Sequence, residues 1–165
     1  MIMKLNINDR AALAIKNNMK RVEIRANKKQ SNHDYSKLKG NDIIEFNSNV
    51  LGVFYVKVKQ VNYYQSIEEL LMQEGTRYTT SSTNDYNQAI ENIYKIKKYK
   101  EAIKENGVYA IHIKYLYSEN TVWEELYEKA KNIREAKDVS KMISAGQVGA
   151  AILTKNHNIY TGVCI

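Results

Sequence analysis

Hydrophobic positions recur along the chain at two spacings, every three to four residues and every second residue, and the switches between them mark its elements. Asn8 stands before Ala11, Leu13, Ala14 and Ile15, which predicts a short capped helix ended by Asn17-Asn18. Val22, Ile24 and Ala26 alternate with Glu23 and Arg25, so a strand is expected with both charged side chains on its other face. Residues 27–42 read as a polar, lysine-rich loop closed by the turn Lys39-Gly40-Asn41-Asp42. Ile43 to Asn47 predicts a second strand, Asn47-Ser48-Asn49 a turn, and Val53 to Tyr63 a long third strand anchored by Val56, Val58 and Val61. Ser66-Ile67-Glu68-Glu69 fits a capping box opening a helix through Leu70 and Leu71, which Gly75 stops. A polar loop follows over residues 76–86, rich in hydroxyls from Thr79 to Thr83. One longer helix is expected through Ala89, Ile90, Ile93, Ile96 and Ile103 to Gly107. Val108 to Leu116 then alternates, with Tyr109, Ile111, Ile113 and Tyr115 on a core face and His112 and Lys114 on a solvated one.

Helix, strands, helices, strand is an order with few parallel crossovers, which points to an α+β domain around a small, largely antiparallel, barrel-like sheet. The pattern changes at residues 118–120, read as a linker between a first domain, 1–117, and a second segment, 121–165. There Thr121-Val122-Trp123-Glu124 fits a capping box, and Trp123, Leu126, Tyr127, Ala130 and Ile133 share one helical face. After a turn-like stretch, Val148 to Leu153 and Ile159 to Ile165 predict two apolar strands joined at Lys155-Asn156-His157-Asn158.

Composition adds limits. No run of about 18 apolar residues exists, so no membrane span is expected. The N-terminus lacks the apolar stretch of a secretory signal, and the single Cys164 offers no disulfide framework; a cytoplasmic protein with one buried free thiol is expected. Residues 1–40 carry seven Lys and three Arg against Asp9, Glu23 and Asp34, while the rest of the chain balances, so the whole net charge of +7 sits in the first quarter. A local positive field of that kind attracts phosphates. His33, His112 and His157 lack metal-ligand spacing and read as solvated; neither metal nor cofactor is expected.

Three pieces in order carry a family resemblance: Lys20-Arg21-Val22-Glu23-Ile24-Arg25, Lys39-Gly40-Asn41-Asp42-Ile43-Ile44-Glu45-Phe46, and Val56-Lys57-Val58 through the Ser66–Gly75 helix. The closing Gly107 to Ile113 stretch also fits. Over residues 3–117 the chain resembles the ASCH family of the PUA-like superfold. The resemblance implies a small β-barrel with flanking helices and a cleft lined by Lys20, Glu23, Arg25 and Glu74. Some small ASCH proteins hydrolyse N4-acylated cytidines with a Lys, a Thr and a Glu. The Lys falls on Lys20 and the Glu near Glu74, but the Thr falls on Glu23, which lacks a nucleophilic hydroxyl and can act only as a base on water.

Residues 121–165 are similar to the start of a cytidine deaminase of the blasticidin-deaminase-like branch. The similarity rests on Leu126 to Lys131, Val148 to Lys155 and Ile159 to Ile165, which would form its first helix and β-hairpin. The zinc motifs of that family lie beyond the last residue, so deamination by its mechanism is not expected. A shortened chain, a degraded gene and one half of a split protein are equally open.

The leading expectation is a binding module for RNA or a pyrimidine nucleotide. Lys20, Arg21, Arg25, Lys28 and Lys29 would meet phosphate, Glu23 a base or ribose, and Tyr64 or Tyr78 (or Tyr63) would stack on a base. Glu23 and Arg25 can equally form a structural ion pair on a wet sheet face. The alternatives are a hydrolase of N4-acylated cytidine using Lys20, Glu23 and Glu74, and an interaction protein whose tail strands self-associate or complete a deaminase.

Overall fold

The computed structural model describes residues 1–29, 31–134, 137–141, 143–145 and 148–163. The expected buried thiol of Cys164 lies outside the described residues. The chain forms two compact units, Met1–Tyr115 and Leu116–Ile165. No helix among the described residues is long and apolar enough to cross a membrane.

The first unit is a mixed α+β fold. It is built on five strands: β1 (Ile2–Asn6), β2 (Val22–Arg25), β3 (Ile43–Ser48), β4 (Gly52–Tyr64) and β5 (Val108–Ser118), in the sheet order β1-β3-β4-β5-β2. No strand is expected at the N-terminus, yet Met3 and Leu5 alternate with exposed neighbours and are buried. That period-two signal pairs β1 with β3 in parallel, Ile2 opposite Ile43, so the sheet is not wholly antiparallel. β4 runs antiparallel to β3, and β2 antiparallel to β5, with Glu23 opposite Ile111 and Val22 opposite His112. The sheet curls far enough for a guanidinium to bridge its two edges: Arg25 Nη2 on β2 donates to the Asn6 carbonyl of β1 at 3.1 Å.

Apolar side chains fill both faces. One core joins Leu5, Phe46, Phe54, Val56, Ile111 and Ile113 to Ala12 and Ile15 of α1 (Asp9–Lys16). The other joins Val22, Ile24, Val108 and Ala110 to α2 (Ile67–Glu74), α3 (Tyr86–Tyr94) and α4 (Tyr99–Asn106). The outer face of β5, expected to be solvated, is therefore covered at Val108 and Ala110. Asn8 and Ser66 cap as their sequence predicts, accepting from Ala11 N at 2.9 Å and Glu69 N at 3.1 Å. The Glu69 carboxylate closes the box one residue early, on Gln65 N.

The long helix expected through Ala89 and Ile103 to Gly107 is two helices. Lys98 adopts a left-handed conformation, φ 64°, between α3 and α4. The break serves packing: Ala89 and Ile93 of α3 and Tyr99, Ala102 and Ile103 of α4 all reach one core, which a single straight helix would not allow at these spacings.

The second unit has α5 (Val122–Asn132) and two hairpins, β6 (Lys137–Ser140) with β7 (Ile143–Ala145) and β8 (Gly149–Leu153) with β9 (Ile159–Val163). The first hairpin stands where the pattern predicts only a turn-like stretch. Residues 118–120, read as a linker, form the end of β5 and part of a 3-10 turn. Thr121 makes no capping bond; its hydroxyl donates to Glu125 Oε1 at 2.7 Å. Of the expected apolar helix face only Leu126 is buried, while Trp123 and Tyr127 are 79% and 65% exposed. β8 lies close under α5, and a side chain on Gly149 would run into the Ala130 carbonyl.

Candidate functional site

A cleft of about 400 Å³ runs along the free edge of β2. Its walls are the end of β1 and start of α1 (Asn6 to Ala11), β2 itself, the loop from Thr79 to Ser82, and Asn92, Ile93, Ile96 and Tyr99 from the α3–α4 region. The alternation of β2 turns Val22 and Ile24 to the helical core, so Glu23 and Arg25 take the opposite face.

At the centre of the cleft three charged side chains are locked together. Glu23 is 6% exposed and Lys20 7%. Lys20 Nζ donates to Val22 O at 2.7 Å and to the Thr79 carbonyl, and lies 3.3 Å from Glu23 Oε2. Arg25 places Nε at 2.9 Å and Nη2 at 2.8 Å from Glu23 Oε1. The ion pair open to the sequence reading thus exists, and it is buried instead of lying on a wet face. Burial pushes the Lys20 amine below its ordinary pKa, although Glu23 opposes the shift. Burial also opposes the charge on Arg25, but Glu23 holds that group above its usual value. Four basic side chains line the cleft, Arg10, Lys20, Arg25 and Lys28, against the single carboxylate of Glu23. Burial, then the like charges of Arg25 and Lys98, lower the pKa of Lys28. On the same wall the hydroxyl of Thr79 is fully buried and has no hydrogen-bond partner. Nothing in the sequence distinguishes Thr79 from its hydroxyl-bearing neighbours; its significance comes from burial alone.

The other expected site residues lie elsewhere. Glu74 is not among the residues lining the cleft. It sits in its own polar cluster, accepting from Asn62 Nδ2 and Tyr64 OH at 2.8 Å each and lying 2.9 Å from His112 Nε2. His112 pairs with Val22 across β5 and β2, and so points to the face opposite that of Glu23. Burial tends to raise the pKa of Glu74, but these hydrogen bonds hold it below the ordinary carboxylate value. Tyr64 is committed to that cluster. Arg21 and Tyr78 line a second hollow beyond the Thr80–Ser82 loop. Lys29 pairs with Glu105 at 3.0 Å and lines a third hollow over α4. Tyr63 packs against Tyr109 with ring centres 5.4 Å apart. None of the three histidines is simply solvated: His33 bonds Ser31 Oγ and the Lys4 carbonyl, His112 meets Glu74, and His157 bonds the Tyr117 hydroxyl at 2.6 Å.

Known structures share this architecture. The crystal structure of the hypothetical protein PH0355 matches with a TM-score of 0.59 and 27% identity, over 70% of this chain and 99% of that one. The solution structure of protein PF0455 from Pyrococcus furiosus matches with a TM-score of 0.52 and 23% identity, over 70% and 98%. No curated protein sequence matches. The deaminase-like start expected over 121–165 receives no support from these comparisons. A family model described as the ASCH domain instead runs across residues 5–144, through the edge-strand cleft and past the boundary expected at 117. With its cleft strand, its capped α2 and the greater part of its length inside that match, the chain belongs to the ASCH domain family.

Proposed function

We propose that the cleft beside β2 binds a pyrimidine nucleotide, free or as one residue of an RNA strand, with its phosphate at the Arg25–Lys28 end. The observation that carries this reading is the single carboxylate clamped between Lys20 and Arg25 inside a hollow whose other polar lining is basic, amide and hydroxyl, set among Ile7, Ala11, Ile24, Ile93 and Ile96. A carboxylate offers about four acceptor sites. Arg25 takes two on Oε1 and Lys20 one on Oε2, so one remains on Oε2 for an amino group such as the exocyclic N4 of cytosine. Lys28, whose charge is disfavoured by burial and by the like charges of Arg25 and Lys98, is eased by an anion placed beside it. The volume lies near the lower end of small-ligand clefts, roughly 300–1,000 Å³. That suits one nucleotide and excludes a duplex.

Calorimetric titration with CMP and cytidine tests it. CMP should bind more tightly than cytidine, and Lys28→Ala should bring CMP down toward the cytidine affinity while leaving cytidine unchanged. Absence of binding by either ligand, or equal binding of CMP by both proteins, would sink the assignment.

One observation favours hydrolysis as a second reading: a buried amine of lowered pKa, a carboxylate and an unpartnered buried hydroxyl share one wall of the cleft. In that reading water adds to the acyl carbon of an N4-acylcytidine. Glu23 takes one water proton and returns it to N4, the bond between the acyl carbon and N4 breaks, and the carboxylic acid and cytidine depart. Glu74 has no part in it. Incubation with N4-acetylcytidine that yields no cytidine removes this reading and leaves the first intact.

A further inference from the structure

The second hollow, about 580 Å³, is built from the same backbone as the cleft. Arg21 N and Val22 N both donate to the Tyr78 carbonyl, at 2.8 and 3.0 Å, and Lys20 Nζ donates to the Thr79 carbonyl. Along both joined segments the side chains part: Lys20 and Thr79 line the cleft, while Arg21 and Tyr78 line the hollow. The two spaces are thus walled by consecutive residues of the same two segments. Thr80, Ser81 and Ser82 line both.

The hollow is chemically one-sided. The Arg21 guanidinium lies 4.2 Å from the centre of the Tyr78 ring and that of Arg77 lies 5.2 Å from it. No carboxylate lines the space. Among the described residues neither arginine is ion-paired. Two guanidiniums held against one ring, without an acid to neutralise them, present N–H edges suited to phosphate and flat faces suited to a base. The stacking surface expected of Tyr78 passes to the arginines that flank it.

We infer that this hollow receives the neighbouring nucleotide of a single-stranded polynucleotide whose first nucleotide occupies the cleft, the bridging phosphate crossing the hydroxyls of the Thr80–Ser82 loop. The inference rests on the nucleotide reading of the cleft. It makes the ligand a strand, not a free nucleotide.

Anisotropy titrations with a labelled RNA of about eight nucleotides, with the matching DNA, and parallel calorimetry with CMP test it on the full chain. The proteins are wild type, Arg77→Ala, Arg21→Ala and the double variant. Arg77 is exposed and, among the described residues, meets the Tyr78 ring without an ion pair, so its loss should leave folding unaffected. Arg21→Lys keeps the charge if Arg21→Ala loosens the β2 start. Strand affinity should fall at least about tenfold in the double variant. The slope of log K against log salt should shrink by about 0.7 per arginine removed, and CMP binding should not change. Unchanged strand affinity with CMP still bound overturns the second subsite and leaves the cleft reading standing. Wild type that binds neither CMP nor strand overturns both. Competition by a short polyglutamate as strong as that by RNA overturns the inference in favour of an acidic protein partner.

Discussion

Glu23 is the residue on which the charge balance of the cleft turns. It is the one acid between the buried Lys20 and the partly buried Arg25, and each of its oxygens is engaged. Removing one member of such a group leaves an uncompensated buried charge, which costs about 3–5 kcal/mol. Glu23→Gln should therefore lower the urea midpoint steeply without changing the m-value. The pH dependence of that loss has a definite sign. The folded pKa of Lys20 is already below its unfolded value, because burial disfavours the ammonium. The resulting penalty is complete below the folded pKa and is relieved as pH rises through it toward the unfolded value. Without Glu23 the folded pKa drops further, so the deficit of the variant should narrow as the medium becomes alkaline. Urea titrations of both proteins at neutral and alkaline pH show this directly; a deficit that widens with pH contradicts the buried-charge account.

At the scale of elements, the breaks matter as much as the strands and helices. α4 ends at Gly107, whose φ of 67° and ψ of −163° belong to a region that only glycine occupies without strain. A side chain there would also strike the Tyr63 ring, which is half exposed and able to move aside. Gly107→Ala should cost about 1–3 kcal/mol, mostly from the backbone. The ring clash should appear separately, as a shifted Tyr63 environment in aromatic NMR spectra, and an unchanged midpoint would contradict the backbone assignment. Gly107 was legible in the sequence as a stop signal. The break at Lys98 was not, because a lysine in a left-handed conformation leaves no compositional mark and the need for it arises only when α3 and α4 meet a common core. Capping boxes divide in the same way. Ser66 caps α2, which has a buried face to lie on. Thr121 has the same local pattern, yet its hydroxyl turns to Glu125.

For the whole molecule, the alternation of Val22 to Arg25 was enough to place Glu23 and Arg25 on one face, and the resemblance to the ASCH family named Lys20 beside them. It could not show that Glu74 turns away, since the face reached by α2 depends on how the sheet is covered, nor that Arg21 and Lys20, adjacent in sequence, open into different hollows. The two cores also bear on how much of the chain the site needs. Every buried member of both clusters precedes residue 114, and the cleft draws its walls from Asn6 to Tyr99. A chain ending after Ser118, which keeps the whole of β5, therefore retains every residue of both clusters. It should unfold cooperatively in urea and bind CMP with the affinity of the full chain. Circular dichroism and calorimetry on the two lengths make the comparison. Loss of cooperative unfolding in the shorter chain would mean that residues beyond 118 complete the first unit, in keeping with a family match that runs on to residue 144. Retention would confine that continuation to a separate role and leave the edge-strand cleft self-sufficient.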